Sequence, residues 1–302
     1  MRCVHPIRAF RAVGGGVSFA RHQSLGIDMS VRCGQCIGCR LNHAREWAVR
    51  MTHESQMHPT NCTLTLTYDD EHLPRNGSLN PDDHRDFIKR LRKRTDRRIR
   101  YYHCGEYGER TKRPHYHTVL FGYDFPDKRF VENSPSGHPL YRSPTLDRAW
   151  GNGRALIGSL SFESAQYVAK YATKAINVSK ASSQEAHRQF ERRYERVDPD
   201  TGEVVQVRPE YVTMSRKPGI GKDWLMKYLS DVYPSDFVVL DGKKHPVPRY
   251  YDRVLEEIAP ELHDELKRAR QENRDRSNDD LTRLAAMETC ALARTNLNGN
   301  RE

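Results

Sequence analysis

His115 and His117 are separated by one residue and begin a segment, 115–121, that is rich in β-branched and aromatic residues. This composition predicts a β-strand. Side chains two residues apart in a strand point to the same face, so both imidazoles can reach one metal ion. The alternative is a pair of partly exposed histidines on a polar strand face, since the chain contains 14 histidines.

A carboxylate would complete such a metal site, because hard cations such as Mg²⁺ or Mn²⁺ prefer oxygen ligands. Glu106 follows the preceding predicted strand, 98–104. If the two strands pair as a hairpin, Glu106 comes level with the two histidines. Glu109 lies farther into the loop and is the second candidate. The sequence therefore predicts a divalent-cation site made by Glu106, His115 and His117.

Tyr167 and Tyr171 are four residues apart in a predicted helix, 163–177. This spacing places both side chains on one helix face, about 6 Å apart along the axis. Lys170 and Lys174 lie on an adjoining stripe. A phenol, with a pKa of about 10, is a poor nucleophile at neutral pH, but nearby cations or a metal on the attacked phosphate make phosphoryl transfer feasible. The alternative is an amphipathic helix that buries two aromatic side chains.

Three of the seven cysteines, Cys33, Cys36 and Cys39, recur at intervals of three residues. Such spacing predicts thiolate ligands of a tetrahedral structural Zn²⁺. Cys3 is the preferred fourth ligand, because it would also fix the N-terminal segment, and His43 is the alternative. An iron–sulfur cluster and free thiols are the competing interpretations, although a ferredoxin-type run needs a cysteine where His43 stands.

The chain is basic and hydrophilic, with 302 residues, a formal charge of +10 and a hydrophobic content of 36%. Its apolar content suffices for one sizeable core. The positive charge favours a polyanionic partner such as nucleic acid. No apolar run approaches the ~18–20 residues of a bilayer span, and the start does not resemble a signal peptide. We therefore expect a protein of a reducing cytoplasm, without disulfides and without a membrane partner.

Two basic segments are candidates for phosphate contacts. Arginine dominates residues 90–100, which are followed by Tyr101 and Tyr102. Such a segment would bind nucleic acid without sequence preference, or would form a solvated helix end. Residues 216–222 combine basic side chains with glycine but lack the spacing of a P-loop, so a fused helicase is not expected.

We predict an α+β fold, an antiparallel sheet with flanking helices, in which the metal strand is central and the tyrosine helix packs beside it. The predicted strands are 62–68, 98–104, 115–121, 155–160 and 204–214, and the predicted helices are 42–57, one that opens at Asn80-Pro81, and 163–177 with Ser161 as N-cap. Residues 123–153 are predicted to be irregular. The predicted division is a cysteine-rich module and helix (1–60), a core (61–180), an accessory part of the core (181–258) and a charged helical tail (259–302).

The order of these features resembles that of the HUH endonucleases. They are the strand 63–67, the motif His115-Tyr116-His117 and the pair Tyr167/Tyr171. More narrowly, the chain is similar to the rolling-circle replication initiators of the Microviridae, small phages with single-stranded DNA. Its cysteine-rich start and its length are most like the gokushovirus type. The resemblance spans roughly residues 33–174 and extends more weakly to about residue 251.

The resemblance implies a single-strand DNA endonuclease and strand transferase that opens a replication origin. In that family a metal held by the two histidines polarises the scissile phosphate, and one tyrosine attacks to form a 5′-phosphotyrosine. The released 3′-OH primes the host DNA polymerase, with a host helicase as a further partner, in the bacterial cytoplasm. The second tyrosine then cuts the regenerated origin. Glu106 corresponds to the third ligand, whose place varies in the family, and Lys170 and Lys174 match basic positions of the tyrosine helix.

Two other functions are compatible with these motifs. A relaxase or transposase of the same superfamily would act on a different DNA target. A non-catalytic zinc DNA-binding regulator would keep the cysteines and the basic segments, but it would have no need of Tyr167 near His115.

Overall fold

The computed structural model of the protein describes residues 2–174, 184–273 and 280–299, and within these ranges the side chains of 171–174, 184–187 and 296–299 lie outside the description. The chain divides into two compact units. The terminal unit comprises Met1–His43 and Lys267–Glu302, and the central unit comprises Ala44–Leu266. The predicted boundaries at residues 60, 180 and 258 stay predictions.

The strands are β1 (Ile7–Ala12), β2 (Val17–Ser18), β3 (Ser24–Val31), β4 (Asn61–Thr67), β5 (Arg100–Tyr107), β6 (Pro114–Phe121), β7 (Arg129–Asn133), β8 (Pro139–Arg142), β9 (Ala155–Gly158), β10 (Glu195–Val197), β11 (Val204–Gln206), β12 (Tyr211–Met214), β13 (Phe237–Leu240) and β14 (Lys243–Pro246). The helices are α1 (Ile37–Ser55), α2 (Pro81–Thr95), α3 (Pro144–Trp150), α4 (Phe162–Lys174), α5 (Gln184–Arg193), α6 (Lys222–Lys227), α7 (Leu229–Val232), α8 (Arg249–Ile258), α9 (Pro260–Glu272) and α10 (Leu281–Gly299). In the described part of the chain, no helix is both long enough and apolar enough to cross a membrane.

A seven-stranded sheet in the order β12-β5-β6-β4-β9-β8-β7 forms the centre of the central unit. All its neighbouring strands run antiparallel. Strand β6 therefore lies inside the sheet, between β5 and β4. The prediction of an α+β fold with an antiparallel sheet and flanking helices is confirmed.

Alternating residues of the sheet face two different helical layers. Leu64 and Leu66 of β4 are fully buried in one hydrophobic cluster, together with Phe87 of α2 and Trp150 of α3. The opposite face buries residues of α1 and α4, namely Ala44, Ala48, Met51, Ala165, Val168 and Ala169, against Tyr102, Cys104, Val119 and Phe121 of β5 and β6. The period-2 pattern of the strands thus assigns each side chain to one layer.

Local sequence signals account for α2. The side chain of Asn80 accepts a hydrogen bond from the Asp82 amide at 3.2 Å, and Pro81 occupies the first helical position. The helix ends where Asp96 adopts the left-handed conformation, with φ of 49°. This confirms the predicted helix start, because asparagine at the cap and proline at the first position both favour initiation.

The N-terminal segment contains a three-stranded sheet, β2-β1-β3, that the sequence did not predict. The interior of β3 is exposed on both faces. A strand that buries neither face has no alternation of apolar and polar residues, so its sequence gives no period-2 signal.

The prediction that residues 123–153 are irregular was wrong. This segment contains β7, β8 and α3. All residues of β7 are exposed, which again removes the alternation. Helix α3 is only seven residues long and starts at Ser143, whose side chain accepts a hydrogen bond from the Leu146 amide.

The predicted strand 204–214 is divided into β11 and β12. These strands belong to different sheets, with β11 paired to β10 and β12 paired to β5. Pro209 lies between them and cannot donate a hydrogen bond to a strand ladder, which explains the interruption.

A buried ion pair joins α1 to β5. Glu54 contacts the guanidinium of Arg100, and the side chains of both residues are less than a tenth exposed. The amide of Gly221 donates to Glu54 Oε2 at 2.7 Å, and Arg100 Nη2 donates to the carbonyl of Pro218 at 2.8 Å. Burial alone would raise the pKa of Glu54, but hydrogen bonds from His58, the Gly221 amide and Arg100 lower it below its ordinary value.

We expect Glu54→Ala to reduce the free energy of unfolding by about 3–5 kcal/mol, because it leaves the Arg100 charge buried without a partner. Urea denaturation at neutral pH measures this loss. Since the pKa of Glu54 is lower in the folded state, the stabilisation by the wild-type carboxylate should fade as the pH falls below about 4.

Glu132→Ala is the matched control, because Glu132 forms an exposed ion pair with Arg154. This change should cost less than about 1 kcal/mol. Equal losses in the two variants would contradict a dominant role of the buried pair.

Candidate metal and tyrosine site

The pairing of β5 with β6 brings Glu106 beside both histidines of the His-x-His motif. Glu106 lies directly opposite His115, and Cys104 lies opposite His117. Side chains on opposed residues of an antiparallel pair share one sheet face. Accordingly, Glu106 Oε1 is 2.7 Å from His115 Nε2 and 3.1 Å from His117 Nε2.

The three side chains form a compact and mostly buried group. Glu106 and His117 are 3% and 6% exposed, and His115 is partly exposed. Burial alone would raise the pKa of Glu106, but the contacts with His115 and His117 lower it to about 2. The group therefore offers one carboxylate oxygen and two imidazole nitrogens from a pocket wall that is largely shielded from water.

The donor set fits a divalent cation. One potential ligand atom from each of the three residues lies within 4.8 Å of the others. Two ligands about 2.1 Å from an octahedral ion are roughly 3.0 Å apart when they are adjacent. The two distances from Glu106 Oε1, 2.7 and 3.1 Å, are close to this value. Glu106, His115 and His117 could thus hold Mg²⁺ or Mn²⁺ from one side.

Both histidines have a neighbour for the ring nitrogen that faces away from Glu106. Thr65 Oγ1 is 3.3 Å from His117 Nδ1, and the carbonyl of Arg113 is 3.3 Å from His115 Nδ1. A proton on Nδ1 would satisfy each contact and leave the lone pair of Nε2 for a metal. The sequence analysis missed Thr65, although its position in the alternating run of β4 could have indicated it.

Tyr167 lies against the metal-site histidine on the same side of the sheet. Its ring centroid is 5.6 Å from that of His117, with the two planes at 85°. Tyr167 also packs against the hydrophobic cluster that includes α1 and β5. Of the predicted tyrosine pair, the structure brings this residue to the histidines.

The start of α4 fixes the position of the tyrosine helix. The Ser164 amide donates to Ser161 Oγ at 3.2 Å, and the Ser161 amide donates to Ser164 Oγ at 2.8 Å. This reciprocal pair confirms Ser161 as a capping residue. One turn later, Ala165, Val168 and Ala169 are buried. The helix therefore presents Tyr167 toward β6 while its small residues pack on the sheet.

The other predicted residues of this helix are less fully described. Lys170 is exposed. Tyr171 and Lys174 belong to the last helical turn, but their side chains lie outside the described residues, as do residues 175–177 of the predicted helix. Glu109, the second carboxylate candidate, does not join the three-residue group.

A buried histidine layer behind β6 was not expected. The rings of His84 and His103 are stacked with centroids 3.3 Å apart. Thr118 Oγ1 lies 3.1 Å from a nitrogen of each ring, and Tyr211 OH lies 3.2 Å from His103 Nε2. Burial lowers the pKa of His84 to about 3. These rings face away from Glu106 and are neutral, so they support β6 and do not form part of the site. His84 stands in the apolar stripe of α2, which is the signal that could have revealed it.

Part of the basic segment 90–100 is used inside the fold. Arg90 donates to the carbonyls of Ala149 and Trp150 at 2.7 and 3.0 Å, and Arg100 forms the buried pair described above. Tyr102 is fully buried and cannot stack on a base. The exposed cations of this segment include Lys93, Arg94 and Arg97.

The predicted cysteine group assembles in the terminal unit. The sulfur atoms of Cys3, Cys33, Cys36 and Cys39 lie within 4.8 Å of one another. All seven cysteines are free thiols. Cys62 and Cys104 are buried elsewhere, and Cys290 is exposed.

Comparison with known proteins supplies the family. The model of the replication-associated protein ORF2 family matches residues 61–176, the range that contains β4, β5, β6 and α4. Replication-associated protein VP4 of Bdellovibrio phage phiMH2K is 35% identical over 272 residues, which cover 86% of this chain and 79% of that protein. Replication-associated protein ORF2 of Spiroplasma virus 4 is 32% identical over 281 residues, covering 85% and 81%.

A more distant relative extends the same pattern. Replication-associated protein ORF4 of Chlamydia phage 1 is 28% identical over 248 residues, which cover 80% of this chain and 57% of that protein. No solved structure matches the chain. Since the identities to VP4 and to the Spiroplasma virus protein extend over most of each chain, the protein belongs to the family of phage replication-associated proteins, as a replication initiator of the gokushovirus type.

Proposed function

We propose that this protein is a site-specific single-strand DNA endonuclease and strand transferase that initiates rolling-circle replication through a 5′-phosphotyrosine. The observation that carries the proposal is the contact between the Tyr167 ring and His117, which is itself one of three clustered metal-ligand candidates. A nucleophile beside a divalent-cation site is the arrangement that phosphoryl transfer requires. The family's name, replication-associated protein, supports a role in DNA replication.

In the proposed reaction, Glu106, His115 and His117 hold Mg²⁺ or Mn²⁺. When bound, this cation would draw charge from the scissile phosphate. Tyr167 Oη attacks phosphorus in line with the departing 3′ oxygen, so the Oη–P bond forms as the P–O3′ bond breaks. The phenolic proton ends on the released 3′-OH, with solvent as the carrier. The 5′ end stays attached to the protein, and the free 3′-OH can be extended by the host DNA polymerase, assisted by a host helicase.

Tyr171 is the second nucleophile in this proposal. One helical turn separates it from Tyr167, so the period of α4 assigns both to one face. After one round of synthesis it would cut the regenerated origin, and the earlier 5′ end would be transferred to the new 3′-OH. Lys170 and Lys174 are proposed to contact the DNA phosphates next to these tyrosines.

The electrostatics of the chain suit a single-stranded DNA substrate. The formal charge is +10, and the binding of a phosphate backbone by Lys and Arg releases counterions. A basic surface would therefore supply affinity without sequence preference, while origin selection needs additional base contacts. We place this activity in the cytoplasm of the bacterial host.

The two competing functions fit the observations less well. A non-catalytic zinc regulator would leave the three ligand candidates and the adjoining tyrosine without a task. A relaxase or transposase could use the same site, but the curated relatives are named for replication.

We expect Tyr167→Phe and Tyr171→Phe each to leave partial cleavage, and the double variant to form no covalent adduct, because only the phenol oxygens can accept the 5′-phosphate. Single-stranded oligonucleotides tiled from the genome of the encoding phage, with Mn²⁺ and a denaturing gel, measure adduct formation. Peptide mapping of the adduct identifies the modified tyrosine.

Tyr141→Phe is the matched control, since Tyr141 lies in β8 and packs against Phe130, far along the sheet order from β6. It should keep full activity. An undiminished adduct in the double variant would refute the proposed nucleophiles.

We expect His117→Ala to reduce Mn²⁺-dependent cleavage by more than about 100-fold, beyond the 10–100-fold typical of changes that only orient a metal ligand. Titration calorimetry should show a matching loss of Mn²⁺ affinity. Fluorescence anisotropy with the same oligonucleotide should show that DNA binding is largely retained.

His138→Ala controls for the loss of an imidazole, because His138 is exposed in the turn between β7 and β8. Its metal affinity and cleavage rate should equal those of the wild type. Normal cleavage by His117→Ala would exclude the ligand role.

A further inference from the structure

We propose that Cys3, Cys33, Cys36 and Cys39 bind one Zn²⁺ ion as a tetrathiolate site that ties the N-terminal segment to the start of α1 and to α10. All of these elements belong to the terminal unit. The site is separate in residues and in donor chemistry from the metal and tyrosine site, so it stands whether or not the proposed nicking activity is correct.

The spacing of the sulfur atoms fits tetrahedral zinc. A tetrahedron with Zn–S bonds of about 2.3 Å has edges of roughly 3.8 Å. Cys3 Sγ lies 3.6 Å from Cys33 Sγ and 3.8 Å from Cys36 Sγ. Disulfide bonds need a separation of about 2.0 Å, so these sulfurs are spaced as ligands and not as oxidised pairs.

Backbone amides surround the sulfurs as they would surround thiolates. Amide groups donate to three of the sulfurs at 3.3–3.4 Å, from Val4 to Cys36, from Cys33 to Cys3, and from Gln35 and Cys36 to Cys33. A neutral thiol is a weak acceptor, whereas a metal-bound thiolate gains from each such donor. Gly34, with φ of +77°, provides the left-handed turn that turns the following amides toward Cys33.

The sequence adds charge compensation. A zinc ion with four thiolates carries a net charge of −2, which favours nearby cations. Arg2 precedes Cys3, Arg32 precedes Cys33 and Arg40 follows Cys39. Cys39 also lies in the first turn of α1, where the helix dipole favours a negative group.

The surrounding core is too small to hold these segments together by itself. Its buried members are Val4, Leu284, Cys36 and Cys39, with Ile37 and Met287 packed at the edge. Leu284 and Met287 belong to α10, at the other end of the sequence. Small cores of this kind commonly need a metal to supply their folding energy. The zinc would thus hold α10 to the cysteine loop.

The test uses the full chain with His117→Ala, so that zinc cannot occupy the site in the central unit. Protein prepared with zinc and dialysed against metal-free buffer should contain one zinc per chain, released in proportion as the thiols are titrated with an organomercurial. Replacement by Co²⁺ should give the intense near-ultraviolet absorption of thiolate-to-cobalt charge transfer and the visible bands of a tetrahedral ion.

Variants then assign the ligands. Cys36→Ser and Cys39→Ser should lose most of the zinc, and Cys290→Ser, an exposed cysteine of α10, should keep it. Cys3→Ser should weaken binding and His43→Ala should not, which separates the two candidates for the fourth ligand. Hydrogen exchange in α10 should accelerate when zinc is removed from the unmutated cysteine site.

Three results would overturn the proposal: less than a tenth of a zinc per chain in the unmutated cysteine site, a cobalt spectrum without thiolate charge transfer, or brown protein with acid-labile sulfide. The last would identify an iron–sulfur cluster. These measurements need no variant to fold and no DNA cleavage.

Discussion

The β5–β6 register is the constraint on which the site depends. It places Glu106 opposite His115 and next to His117 on one face. A slip of one residue would move Glu106 to the opposite face and separate the carboxylate from both imidazoles. The reverse face restricts this slip, because a Cβ at Gly105 would come within 2.7 Å of the Tyr211 ring and 3.1 Å of the Tyr116 ring. Only glycine fits beneath these aromatic rings, so close packing behind the strand helps to hold the donors in front of it.

The tyrosine depends on a second packing constraint. Ala165 and Ala169 are fully buried where α4 meets the sheet, and small side chains allow a helix to approach its neighbour closely. Larger residues at these positions would lift α4 and move Tyr167 away from His117. The neutral, stacked histidines behind β6 complete the arrangement, because they fill the core without adding a positive charge that would oppose a cation in front.

The two proposed metal sites divide by ligand chemistry. Imidazole and carboxylate donors in the central unit suit a harder catalytic cation, whereas four sulfur donors in the terminal unit suit zinc. Selection by donor type would let one chain hold a permanent structural ion and an exchangeable catalytic ion at the same time. The first would stabilise the fold, and the second would serve the reaction proposed for Tyr167.

The sequence by itself determined the local features: the His-x-His strand, the capped helices α2 and α4, the cysteine spacing and the family resemblance. Each follows from short-range periodicity or spacing, which a single chain displays directly. Strands β1–β3 and β7 could not be predicted, because their exposed faces have no apolar alternation. Only the tertiary structure decided that Glu106 and not Glu109 joins the histidines, that Cys3 joins the cysteine loop, and that Thr65, His84 and His103 surround the metal strand. These choices depend on strand register and on long-range packing, which place residues distant in sequence within a few ångströms of one another.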